Sequence, residues 1–160
     1  MATANKNLSA YDKTTMPNAK NFRFGIVVSE WNPKITEGLY KGAVEVLKDC
    51  GVPSTNIVRW KVAGSFELPF GCKKMIKKGG FDAIIAIGSV IQGETKHFDF
   101  VCSATAQGIM DVNVLTDVPV IFCVLTDNTL QQATDRSGGK HGNKGAEAAV
   151  AAIKMAALGS

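Results

Sequence analysis

The 160-residue chain has only two histidines and four cysteines. No two cysteines form a Cys-x-x-Cys pair, and no carboxylates cluster beside them. A protein-built metal site is therefore not expected. Cys50, Cys72, Cys102 and Cys123 each lie in an apolar stretch, so free buried thiols are expected and not a disulfide framework. No apolar run approaches the roughly 18 residues that a membrane span needs. Residues 1–21 are polar and lack the apolar centre of a secretory signal, which places the chain in the cytoplasm. Aromatic residues make up 8% and are not interleaved with basic ones, and the net charge is only +4. Much of that charge sits in Lys73-Lys74 and Lys77-Lys78, the pattern of a solvated helix face. Neither a nucleic-acid partner nor a membrane partner is expected.

Two phosphate motifs are missing as well. No Gly-x-Gly-x-x-Gly follows the first strand, which argues against a dinucleotide site. Arg136-Ser-Gly-Gly-Lys-His-Gly-Asn-Lys144 is glycine-rich, but no Gly-Lys in it is followed by Ser or Thr at Walker spacing, so an NTPase is excluded.

What is present is a regular alternation of strand and helix signals. Residues 24–28 are a short apolar run suited to a strand buried on both faces. Asn32 and Pro33 supply a helix N-cap and first residue. Ile35, Leu39, Ala43, Val46 and Leu47 then recur at helical spacing until Gly51 and Pro53. Residues 57–62 alternate between apolar and polar, as an edge strand does. Gly64-Ser65 opens a second helix, ended by Gly79-Gly80. Residues 81–87 form an almost wholly apolar, central strand. A long helix over 97–115 follows, then an apolar strand over 119–125, a helical stretch near Leu130 and an alanine-rich helix over 143–157. This order predicts one α/β domain over residues 22–160, with a four-stranded parallel sheet between helical layers and a tail or arm over 1–21.

In such a fold the ligand lies beyond the carboxyl ends of the strands. Trp31, after the first strand, can pack a loop or present a stacking surface for a flat ring. After the second come Ala63-Gly-Ser-Phe-Glu-Leu-Pro69, where Gly64 admits a close backbone approach. The Ser65 hydroxyl is expected to cap the helix, and Glu67 is either solvated or grips a hydroxyl group. After the third, Gly88-Ser-Val-Ile-Gln-Gly-Glu-Thr-Lys-His97 reads as a glycine-broken turn leading to a helix start. Its N–H groups can hold an anion, and His97 can exchange protons near neutral pH. Arg136, with Lys140 and Lys144, is either a basic surface loop or a phosphate ligand.

Together the blocks 63–69, 88–102 and 136–149 resemble the 6,7-dimethyl-8-ribityllumazine synthase family, in its order and spacing. The resemblance runs over residues 22–157. It implies a three-layer, flavodoxin-like α/β/α fold. It also implies condensation of 5-amino-6-(D-ribitylamino)uracil with 3,4-dihydroxy-2-butanone 4-phosphate, a step of riboflavin biosynthesis that needs no cofactor or metal. In that resemblance Trp31 stacks on the pyrimidine, Ser65, Phe66 and Glu67 hold the ribityl chain, and Ser89, Val90 and Ile91 contact the pyrimidine through backbone. Glu94 and Thr95 match the phosphate-side loop, His97 the general acid/base, Arg136 the phosphate-binding arginine and Lys144 a second basic residue. Phe122 matches an aromatic supplied by a neighbouring subunit.

The resemblance further implies a homo-oligomer with active sites between subunits of a pentamer. The short 137–142 segment favours a 60-subunit shell, with riboflavin synthase as a candidate enclosed partner. Part of the N-terminal arm is expected to add a strand to a neighbour's sheet. The competing reading is a non-catalytic flavodoxin-like ligand-binding or shell-forming protein, which would need neither His97 nor Arg136. A receiver-type signalling domain would want an acidic cluster after the first strand, where only Glu30 stands.

Overall fold

The computed structural model describes residues 7–159. Strand β1 (Phe24–Ser29) has all six residues buried. Burying a Val, Ile or Phe side chain stabilises by about 1.5–3 kcal/mol, which is why so apolar a run occupies the sheet interior. Helix α1 (Pro33–Asp49) buries Ile35, Leu39, Ala43, Val46 and Leu47, the residues of its apolar spacing. Strand β2 (Ile57–Val62) is only partly buried. Helix α2 (Leu68–Lys78), strand β3 (Ala83–Ile91), helix α3 (His97–Leu115) and strand β4 (Val120–Asp127) follow. Helix α4 (Leu130–Arg136), a small hairpin of β5 (Ser137–Gly139) and β6 (Gly142–Asn143), and helix α5 (Lys144–Ala156) complete the described chain.

The main sheet runs β2-β1-β3-β4, and every pairing in it is parallel. β2 is an edge and β3 is internal, as the alternating and unbroken apolar patterns indicate. Side chains of α1 and α5 pack into one hydrophobic cluster with one face of the sheet; those of α2 and α3 pack into a second on the other. No helix among the described residues is long and apolar enough to cross a membrane.

Several boundaries differ from the sequence expectation. β3 does not break at Gly88 but continues to Ile91, because Ser89, Val90 and Ile91 stay in register with Leu125, Thr126 and Asp127 of an equally extended β4. The turn is therefore confined to residues 92–96. α2 begins at Leu68, after a short 3-10 turn over Ser65–Glu67. The glycine-rich segment before α5 is a hairpin, with Gly138 and Gly142 at positive φ.

Part of the expected arm is tied to its own chain. The Leu8 N–H donates to the His141 carbonyl and the Ser9 Oγ accepts from the Asn143 N–H, both at 2.9 Å. Tyr11 and Lys13 both reach the Asp49 carboxylate, at 2.6 and 2.8 Å. The remainder of the arm, residues 1–6, lies outside the described residues.

Candidate active site

The carboxyl ends of β1 and β3 lie side by side, and the loops after them are stitched together. Asn32 adopts a left-handed conformation (φ 54°, ψ 56°) between β1 and α1. It occupies the N-cap position, but its side chain does not cap. Its Nδ2 instead donates to the Ser89 carbonyl at 2.9 Å, tying the first loop to the end of β3. That corner leaves Trp31 72% exposed. A Cβ placed on Gly64 would lie 3.4 Å from the indole Cδ1 of Trp31 and 3.1 Å from Oε2 of Glu67. The missing side chain at Gly64 thus lets Trp31 and Glu67 approach the same backbone. Phe66 stands 60% exposed beside them in sequence.

Beneath this surface are three buried serines. The hydroxyls of Ser29, Ser65 and Ser89 are enclosed and have no hydrogen-bond partner. Ser65 therefore does not cap α2, contrary to the sequence expectation. It packs inward against Gly88, where a Cβ would fall 2.5 Å from Ser65 Oγ. A buried hydroxyl without a partner costs about 1–3 kcal/mol, and such groups call for an explanation. All three lie where β1 and β3 end or just after β2, enclosed from solvent.

Beyond β3, Glu94 and Thr95 are exposed in the turn that leads to α3. His97 is the first residue of α3, with an exposed side chain; its backbone N–H donates to Thr95 Oγ1 at 3.3 Å. The imidazole makes no hydrogen bond among the described residues, so both ring nitrogens are open to a ligand. In the first turn of this 19-residue helix the Asp99 and Phe100 N–H groups donate to the Lys96 carbonyl at 3.1 and 3.4 Å, so that of its first four N–H groups only that of Phe98 has no partner among the described residues.

The remaining candidates sit on β4, α4 and α5. Arg136, in the last turn of α4, approaches Asp127 at the end of β4, with Nε 3.7 Å from Oδ1. Lys144 opens α5 and is paired with Glu147, its Nζ 2.5 Å from Oε1. Phe122 pairs across the ladder with Ala86, three positions before Ser89. At about 3.3 Å per residue it stands roughly 10 Å back from the end where Trp31 sits. Among the described residues no hydrogen bond or ion pair links Arg136, Lys144 or Phe122 to Trp31, Glu67 or His97.

Asn32, Ser29, Asp127 and Glu147 were not singled out as site residues from the sequence. Glu147 had a signal, its i,i+3 spacing from Lys144. Asn32 had only its place before Pro33, which also suits a cap.

A family model described as 6,7-dimethyl-8-ribityllumazine synthase matches residues 21–160. The chain is 71% identical over 156 residues to the 6,7-dimethyl-8-ribityllumazine synthase of Flavobacterium johnsoniae, covering 98% of this chain and 82% of that one. It is 67% identical over 159 residues to the same enzyme of Christiangramia forsetii, with 99% and 95% covered. Against that of Cytophaga hutchinsonii the identity is 55% over 157 residues, with 98% of each chain covered.

Proposed function

The chain belongs to the 6,7-dimethyl-8-ribityllumazine synthase family, and from that premise we propose how its residues divide the work of the reaction. It is a transferase of riboflavin biosynthesis that condenses 5-amino-6-(D-ribitylamino)uracil with 3,4-dihydroxy-2-butanone 4-phosphate, giving the lumazine, phosphate and water. The observation that carries the assignment is the exposed Trp31 over Gly64, standing beside Glu67 and the buried, unpartnered Ser65 hydroxyl. A flat pyrimidine stacks on the indole. Its ribityl hydroxyls meet Ser65, Phe66 and Glu67, and its ring polar atoms meet the backbone of Ser89, Val90 and Ile91.

The phosphate of the second substrate lies against the start of α3, near Glu94 and Thr95, and takes the Arg136 guanidinium. Attack of the pyrimidine amine on the ketone gives a carbinolamine and then an imine; phosphate departs, protons move and the ring closes. Donors aimed at the departing phosphate stabilise the charge that develops there. His97, at the junction of the two subsites, relays the protons. Such a relay is typically worth about 10²–10⁴-fold, and much of the rest comes from holding two substrates in one orientation.

That Arg136, Lys144 and Phe122 make no hydrogen bond or ion pair with Trp31, Glu67 or His97 among the described residues supports a site shared between chains, with Arg136 and Phe122 coming from different subunits. The pentamer, and a 60-subunit shell built from pentamers, belong to that reading, as do an N-terminal arm over 1–21 preceding one domain over 22–160, part of the arm adding a strand to a neighbour's sheet, a cytoplasmic location, riboflavin synthase as an enclosed partner and Lys144 beside the site. Purified protein given both substrates, with no added metal or nucleotide, should form a fluorescent lumazine, and His97→Ala should slow turnover by about 10²-fold without abolishing it. No product from the wild-type chain would sink the assignment. Undiminished turnover in the variant would remove His97 from the proton path.

A further inference from the structure

Asp127 is the one acidic side chain that closes on the proposed phosphate ligand among the described residues. It ends β4, and its carbonyl accepts from the Gln92 N–H at 2.9 Å, so its backbone is fixed to the turn after β3. The residue is only 7% exposed. One carboxylate oxygen, Oδ2, is enclosed with no hydrogen-bond partner, while Oδ1 faces the Arg136 Nε at 3.7 Å. That separation is an ion pair and too long for a hydrogen bond. The terminal nitrogens of the guanidinium make no hydrogen bond among the described residues, which leaves its fork open. Burial pushes the Asp127 carboxyl pKa up and Arg136 pulls it back. A buried carboxylate so incompletely satisfied is a poor stabiliser of the fold.

Resting on the assignment of Arg136 to phosphate, we propose that Asp127 is a standing negative charge beside Arg136 that repels the bound anion, limiting how tightly the site grips phosphate so that the product ion is released. Two arrangements of charge compete here. Asp127 behind the guanidinium steadies it, which favours binding; its negative charge near a second anion opposes binding. The contact is an ion pair from Nε at 3.7 Å with no hydrogen bond, so the steadying is weak. The repulsion acts at full charge across a partly buried site, where screening is incomplete. Repulsion wins, and the sign of the effect follows: removing the charge should tighten the hold on phosphate.

The test is the affinity of the assembled full-length protein for inorganic phosphate, by calorimetry, together with its inhibition of turnover. Asp127→Asn keeps the shape and removes the charge. It should bind phosphate about five- to tenfold more tightly, with Asp127→Ser shifting in the same direction should the amide fold poorly. A gain in affinity is a readout that damage to the fold would not produce. In an Arg136→Ala background phosphate binding itself should weaken, and Asp127→Asn should still tighten it, because the repulsion acts on the anion directly. Unchanged or weaker binding by Asp127→Asn, alongside weakened binding by Arg136→Ala, overturns the role of Asp127 alone. Unaltered phosphate binding by Arg136→Ala overturns the phosphate assignment itself, and this proposal with it.

Discussion

The two faces of the sheet are finished differently. On one, α5 buries Ala146, Ala148, Ala149, Ala152 and Ile153 against the sheet and α1, and the chain's own hydrogen bonds seal the junction. Asn143 donates through Nδ2 to the Gly38 carbonyl at 2.8 Å and accepts from the Gly145 N–H at 2.8 Å. On the other, α3 has 19 residues but buries only Thr105, Ile109 and Val112. Phe100, Met110, Val114 and Leu115 stand exposed on it, Val114 at 75% and Leu115 at 80%. An apolar helix surface of this kind marks a contact with another protein. One face is complete within the chain; the other leaves apolar side chains uncovered, which suits the proposed assembly of several chains.

Charging the open face should have the largest effect. Met110 and Val114 are four apart, hence on one side of α3. Met110→Glu with Val114→Glu should leave the α/β circular dichroism intact but reduce the assembly to single chains in sedimentation, because a carboxylate buried without a partner costs several kcal/mol per site. Turnover should fall with the assembly, since the proposed site needs two chains. An unaltered sedimentation coefficient would mean that this face of α3 is not the contact.

The closed face should fail in the opposite manner, by unfolding. A Cβ on Gly145 would lie 1.9 Å from the Leu39 carbonyl oxygen, a backbone atom that cannot move aside without displacing α1. Gly145→Ala should therefore destabilise by about 1–3 kcal/mol in urea unfolding. Gly93 has nothing within 4 Å of its Cβ position, so Gly93→Ala should stay within about 0.5 kcal/mol. Equal stabilities for the two variants would show that the α1–α5 junction is looser than its geometry indicates.

The closed face was the easier half to read from sequence. Apolar spacing in α1 and the unbroken runs of β1 and β3 are local signals, and they located the elements to within a few residues. Strand ends were harder, because pairing and not composition decides them: Gly88 reads as a turn residue until Leu125–Asp127 are seen to hold β3 in register. Ser65 misled for a related reason. A serine before a helix suits a cap, but tertiary packing turned its hydroxyl inward under Gly88. Residues of the candidate site were legible mainly as blocks resembling a family. Asp127 was visible only as a polar residue after the fourth strand; its partner, Arg136, lies nine positions on and a helix away, a pairing that neither helical nor strand periodicity signals.

The smallest effect separates two carboxylates at opposite edges of the sheet by pH. Glu37, on α1, is ion-paired and hydrogen-bonded to Arg59 of β2, and that bond holds its carboxyl below the usual range. Its stabilisation is present above the unfolded-state value, near 4.5, and is lost as pH falls through the depressed folded value. The glutamate is half exposed, so solvent limits the contribution to about 0.5 kcal/mol. Asp127, at the β4 edge, has the reverse sign. Burial raises its carboxyl pKa, so the native state holds its proton more firmly than the unfolded chain does. The stability this confers is present below the unfolded-state value of 3.8 and disappears as pH rises through the folded one. Measured by urea unfolding, Glu37→Gln should be less stable than wild type at neutral pH, the gap closing in acid. Asp127→Asn should gain on wild type as pH rises from 4 to 7. Parallel pH profiles for the two variants would mean that the Asp127 carboxylate is fully compensated by Arg136, and the incomplete pairing on which its functional role depends would not exist in solution.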